Sequence, residues 1–215
     1  MVERMARFGA LLVEGIPGAG KSTLIDALIR RHVGAAPARK VRSFLHLAQT
    51  HTYGPLASAE DSGTLTVAAN LEHLARIVAV LEVLSNGVQN PAHPPCFVLV
   101  DTLHLTHCLR PGVLAWTDAQ SIDSRLAALR VKLLVLRAEP GAVWERLIYD
   151  RAQTQFLREY CSKFGRTDEE LHAHFLHEQE RFTEMFERST MRKALMCNDA
   201  LDGVLDDAYQ LWIAG

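Results

Sequence analysis

Apolar residues in this chain form two kinds of pattern: short continuous runs, and longer stretches spaced at three and four residues. Ala10-Leu11-Leu12-Val13 is a continuous run. It gives way to a glycine-rich turn and then to Leu24, Ala27, Leu28 and Arg31 at helical spacing, which predicts strand, loop and helix in that order. After the small-residue linker Gly34-Ala35-Ala36-Pro37-Ala38 a weaker strand is expected over residues 41–47. The polar stretch from there to about Gly63 is expected to be an irregular surface loop over a site.

From Leu65 onward Ala68, Leu71, Ala75, Val78 and Leu81 recur at helical spacing, and Asn86-Gly87 supplies a stop before the proline-rich residues 90–95. That predicts one long helix. Cys96-Phe97-Val98-Leu99-Val100 is a continuous apolar run ending on Asp101, as in a strand buried on both faces of a parallel sheet, and residues 131–136 repeat the pattern. Pro140 suits the first turn of a helix over residues 141–151. Thr167 is a cap candidate for a longer helix from Asp168, with Leu171, Phe175, Phe182 and Phe186 on its inner face. A last short strand over 194–197 and a closing helix Leu201–Ile213 complete the pattern. Strands alternating with helices predict an α/β three-layer sandwich with a mostly five-stranded parallel sheet and right-handed crossovers. Its ligand belongs at the carboxyl ends of the strands.

Composition narrows the picture. The 215 residues are 48% hydrophobic and 22% charged and carry no repeat or low-complexity tract, which suits a single domain over 1–215. A formal net charge of -2 provides no overall field for nucleic acid or an anionic membrane, so neither is expected as a partner. Cys96, Cys108, Cys161 and Cys197 form no CxxC pair and read as reduced thiols in a cytoplasm. The apolar stretch 8–16 is too short to span a bilayer, and no secretory leader pattern is evident, so a cytoplasmic location is expected.

The strongest chemical signal is Gly15-Ile16-Pro17-Gly18-Ala19-Gly20-Lys21-Ser22-Thr23, which satisfies G-x-x-x-x-G-K-[ST] between a predicted strand and a predicted helix. Glycines allow backbone N–H groups to turn inward around phosphate oxygens at the positive end of a helix, Lys21 brings a charge to the outer phosphates, and Ser22 offers a hydroxyl to Mg²⁺. Gly15, Pro17, Gly18, Ala19, Gly20, Lys21, Ser22 and Thr23 are therefore the expected nucleotide contacts, with ATP as the nucleotide. The fold expected is of the P-loop nucleoside triphosphate hydrolase type. No NKxD-like guanine element is present, because Asn198-Asp199 lacks the lysine and the spacing. Asp101, at the end of a buried strand, is a candidate to hold Mg²⁺ through water; its plainer reading is a capping or turn aspartate.

With the additional glycine at 18, the loop resembles that of small nucleoside and nucleotide kinases. In element order nearly the whole chain is similar to the thymidylate kinase and deoxynucleoside kinase family. Val67-Ala68-Ala69-Asn70-Leu71 occupies the place of the family's FAADR-like helix start, and Val98-Leu99-Val100-Asp101-Thr102-Leu103 that of its strand ending in Asp-Arg-Tyr. Leu71 and Thr102 replace the family's arginines, and residues 41–59 lack its Glu-Pro carboxylate. Pro140-Gly141-Ala142-Val143-Trp144-Glu145-Arg146, followed by Arg151 and Arg158, resembles the run entering the family's lid, here about 151–166 with Gly165 as a hinge.

The resemblance implies an ATP-dependent phosphotransferase for a nucleoside or nucleoside monophosphate, with Mg²⁺ on Ser22 and Asp101 and a catalytic set of Lys21, Asp101, Arg146 and Arg151. A homodimer stays open. The alternative for the arginines is a solvated helix face. The alternative for the protein is a nucleotide-binding regulator, or a degenerate kinase or ATPase without small-molecule phosphotransfer. Ten histidines are scattered along the chain, and neither the His104, His107 and Cys108 group nor His172, His174 and His177 shows a zinc-ligand pattern. His104 and His107 are instead expected on a loop facing the acceptor, with His51, Tyr53, Glu60 and Asp61 in the stretch over its pocket.

Overall fold

The structure, a computed structural model, describes residues 7–34, 43–90, 92–109, 114–149, 163–165, 167–198 and 201–214. In chain order the elements are β1 Phe8–Glu14, α1 Lys21–Gly34, β2 Ser43–Leu47, α2 Gln49–Thr52, α3 Gly54–Asp61, α4 Val67–Gly87, β3 Cys96–Asp101, α5 His104–Leu109 and α6 Trp116–Ala128. They continue with β4 Lys132–Arg137, α7 Pro140–Val143 running into a π-helical turn Trp144–Tyr149, α8 Asp168–Arg188, β5 Arg192–Cys197 and α9 Leu201–Ile213.

The five strands form one parallel sheet in the order β2-β3-β1-β4-β5. The continuous apolar runs are its central strands: Ala10 to Val13, Phe97 to Val100 and Leu133 to Leu136 are all fully buried, because helices cover both faces. α1 and α9 pack together near β1 and β3, where His32 lies among Phe97, at 4.5 Å between ring centres, and Trp212, at 4.8 Å. The Trp212 indole N–H donates to the carbonyls of Gly9 and Val98. α4, α6, α5 and α8 form a second connected group of helices. β1 is central, with β3 on one side and β4 on the other, so the turn after it lies where the chain's crossovers change direction.

Helix ends follow local chemistry. The Thr66 hydroxyl accepts from the Ala69 N–H at the start of α4. Thr167 and Glu170 exchange side-chain and backbone bonds at 3.2 Å and form a capping box for α8. The inner face expected for α8, Leu171, Phe175, Phe182 and Phe186, is buried.

Three expectations need correction. The stretch to Gly63 is not irregular: it carries α2 and α3, the second with Pro55 in its first turn. α3 has no buried residue, so no apolar periodicity announces it. The loop expected after Asp101 is helical within three residues, in α5, and α6 follows. Of the helix expected over 141–151, the described part is the four α-helical residues Pro140–Val143 followed by the π-turn Trp144–Tyr149; residues 150 and 151 lie outside the described residues.

Candidate functional site

The turn between β1 and α1 depends on glycine at three points. Gly15, Gly18 and Gly20 have φ of 144°, 77° and 89°, conformations that cost residues with a side chain. Space is as tight as the backbone. A Cβ at Gly15 would meet the Leu136 carbonyl oxygen at 2.5 Å, and one at Gly20 the Asn198 amide nitrogen at 2.0 Å. The Ala19 side chain is fully buried, and its N–H donates to the Ile16 carbonyl at 3.2 Å, closing the loop. Lys21 opens α1, and its ammonium donates to the carbonyls of Gly15 at 2.8 Å and Ile16 at 3.0 Å, folded back on the loop that it would leave to meet phosphate.

A cavity of about 520 Å³ opens at this loop, lined by Pro17, Gly18, Gly20, Lys21, Ser22, Thr23, Gln49, Arg146 and Asn198. Six of the eight nucleotide contacts expected from sequence line it; Gly15 and Ala19 form the inner side of the loop instead. Its other walls come from separate elements. Gln49 opens α2 at the end of β2, Arg146 projects from the π-turn, and Asn198 follows β5. A π-turn widens the helical register and recurs at functional sites, and here it brings Arg146 to the loop. The contacts are long: the guanidinium donates to the Gly18 carbonyl at 3.3 Å and the Asn198 carbonyl at 3.4 Å. The Asn198 side-chain amide donates to the Ala19 carbonyl at 2.9 Å.

Asp101 pairs with Val13 across β1 and β3, so its carboxylate stands beside the loop but is not among the cavity-lining residues. It accepts from the Thr102 hydroxyl at 3.0 Å. Burial pushes the Lys21 ammonium down from its usual value, and the negative charges of Asp101, then Glu14 and Glu178, pull it back. Glu14, the last residue of β1, is fully buried, and burial pushes its carboxyl up against the opposing pull of His104, Thr106, Leu103 and Lys21.

His104 and His107 are buried on α5 rather than facing an acceptor from a loop. His104 meets Asp123 at 3.2 Å. Burial raises the Asp123 carboxyl, but hydrogen bonds from His104, Ser189 and Thr190 outweigh it and hold the group down at about 2. His107 meets the Asn70 side-chain oxygen and stacks edge-on against Tyr53, whose hydroxyl donates to Glu60. The Thr52 hydroxyl donates to the Asp101 carbonyl at 2.8 Å and ties this polar group to the end of β3. Leu71 packs against the core, and the Thr102 hydroxyl donates to Asp101. Arg151, Arg158, Cys161 and the lid over 151–166, apart from residues 163–165, lie outside the described residues. Among the described residues no three His, Cys, Asp or Glu side chains gather as a metal site, and no helix is long and apolar enough to cross a membrane.

Sequence reasoning missed Gln49, Asn198 and Glu14. Glu14 left a signal, a carboxylate closing an apolar strand directly before the loop. Gln49 and Asn198 left none, because each reaches the cavity only through the order of strands in the sheet.

The glycine-built turn, the all-parallel sheet and the cavity at its carboxyl edge define a P-loop α/β fold. The fold resembles that of the YorR protein from Bacillus subtilis, solved in complex with phosphorylated GDP, with a TM-score of 0.53, 12% sequence identity and coverage of 92% of each chain. Shikimate kinase from Acinetobacter baumannii, solved in complex with shikimate, aligns over 95% of this chain and 92% of its own at a TM-score of 0.41 and 13% identity. No protein-family model matches the chain, and no curated protein matches its sequence.

Proposed function

We propose that this protein is an ATP-dependent phosphotransferase acting on a small acceptor, a nucleoside or nucleoside monophosphate. One observation carries the reading: Lys21, Ser22 and Arg146 converge on one cavity of about 520 Å³ at the glycine loop, with Gln49 from the far end of the sheet closing its side. That volume suits a nucleotide. The likeness in fold to a protein solved with phosphorylated GDP is consistent with it.

Catalysis of this kind is positioning and charge neutralisation. The backbone N–H groups of the loop and the Lys21 ammonium would hold the outer phosphates, and Arg146, already against the loop at the Gly18 carbonyl, would meet charge developing on the transferred group, joined by Arg151. The residues fit Mg²⁺: Ser22 lines the cavity, and Asp101 is a carboxylate beside it within electrostatic reach of Lys21. Bound there, Mg²⁺ would supply charge neutralisation on the phosphate oxygens.

A second reading, a nucleotide-binding regulator that transfers no phosphate to a small molecule, draws support from Leu71 and Thr102, which stand where the resembled family has arginines and here pack against the core and donate to Asp101 instead. ADP release, measured across nucleosides, nucleoside monophosphates and hydroxylated metabolites, separates the two. Stimulation by one of these classes is expected; turnover that never rises above basal hydrolysis assigns the protein to the regulator class.

A further inference from the structure

We propose that Glu14 is a positioning residue of this site: its buried carboxylate fastens the turn after β3, and with it Asp101, to the foot of the glycine loop. The proposal rests on the phosphotransfer reading only in giving Asp101 a metal to hold.

Glu14 is fully buried at the end of β1, one residue before Gly15. One carboxylate oxygen accepts from the N–H groups of Leu103 at 2.8 Å and Leu105 at 3.1 Å, and the other from the Thr106 hydroxyl at 2.6 Å. The Thr102 N–H donates to the Val13 carbonyl at 3.0 Å. Four bonds therefore bind residues 102–106 to the last two residues of β1. From the other side His104, in the same segment, is held by Asp123.

The segment needs that restraint. Thr102 has a φ of 66°, which a β-branched residue adopts only where its surroundings force it. Left alone, the turn would relax and swing the Asp101 carboxylate, one residue earlier. A buried carboxylate is itself costly, and an apolar side chain would fill the same space more cheaply, so a role in packing does not account for it. Three donors aimed at one carboxylate do account for it, because they supply what water would have supplied. Since Glu14 is continuous with Gly15, the phosphate-binding backbone and the metal-holding carboxylate share one rigid base.

The test uses Glu14→Ala and Glu14→Gln, with Thr106→Val as a milder variant that removes one of the three bonds. Amide exchange is read first, without nucleotide. Glu14→Ala is expected to speed exchange at Leu103 and Leu105 by about tenfold or more, with interior amides of β1 and β3 unchanged, as local opening requires. Mn²⁺ affinity of the ATP complex is then expected to weaken by about tenfold, while metal-free ATP affinity stays within about twofold. Glu14→Gln keeps an acceptor for both backbone N–H groups and can donate to the Thr106 oxygen, so it should restore most of both properties. Thr106→Val should give a smaller change in the same direction.

Exchange that rises uniformly over β1 and β3, or a folded Glu14→Ala protein with wild-type Mn²⁺ affinity, overturns the proposal. If Glu14→Ala does not fold, normal local exchange in Thr106→Val together with unchanged Mn²⁺ affinity overturns it as well. Wild-type protein that binds no Mn²⁺·ATP would defeat the phosphotransfer reading instead, and the exchange pattern would still decide whether Glu14 anchors the turn.

Discussion

A methyl group added at Gly20 would lie 2.0 Å from the Asn198 side-chain nitrogen, on a backbone whose φ of 89° disfavours any L side chain. Gly20→Ala should therefore displace the Asn198 bond to the loop and strain the turn, costing about 2–3 kcal/mol of stability and more than about tenfold in nucleotide affinity. Thermal melts and nucleotide titration check both, and unchanged affinity would mean that the loop need not hold this shape to bind. Asp123 tests the buried network behind the site. Its carboxyl sits at about 2 against an ordinary 3.8, so the folded state takes up that proton less readily than the unfolded chain. Its contribution of about 2 kcal/mol is present above about pH 4 and drains away as pH falls towards 2. In denaturant titrations Asp123→Asn should be destabilised at pH 7 and lose less further stability than wild type between pH 4 and 2. Parallel losses over that window would contradict the role given to this carboxylate.

Among the elements, those visible in the sequence are the ones whose burial is continuous or periodic. β1, β3 and β4 are covered on both faces and so read as unbroken apolar runs, and α8 buries one face at helical spacing. α2, α3 and α5 span four, eight and six residues, too few to establish a period, and α5 buries two histidines where an apolar stripe would be sought. The site divides in the same way. The glycine loop is a local motif and legible as such, whereas Asn198 and Gln49 reach it through long-range sheet order that no local pattern encodes. Arg146 was legible as a residue but not as a position, since its aim depends on the π-turn. If that turn exists to present the guanidinium to the reacting phosphate, Arg146→Ala should lower kcat by about ten- to a hundredfold with ATP affinity nearly unchanged. An equal loss in affinity and kcat/KM would place Arg146 in ground-state binding. Thr167→Ala, at the cap of α8, should cost about 1 kcal/mol without touching kcat, because that capping box only starts the helix.

At the scale of the whole molecule, the cavity is a meeting point. Its walls come from the ends of β1, β2 and β5 and from the turn after α7, which are far apart along the chain, so a ligand seated there binds the folded sheet and finds no equivalent in the unfolded chain. Binding energy at the cavity then appears as stability of the entire fold. At a concentration about a hundred times Kd, Mg·ATP should add about 2.7 kcal/mol, and a chain of this size should respond with a rise in Tm of about 5–10 °C. Lys21→Ala gives the control. Its ammonium bonds only to the carbonyls of Gly15 and Ile16 in the described structure, so removing it should move the unliganded Tm by less than about 3 °C while abolishing turnover and most of the ligand-induced rise. Differential scanning calorimetry with and without Mg·ATP, on wild type and variant, measures the four values needed. A rise of the same size in Lys21→Ala would show that ATP is held somewhere other than the glycine loop, and the assignment of the cavity would fall with it.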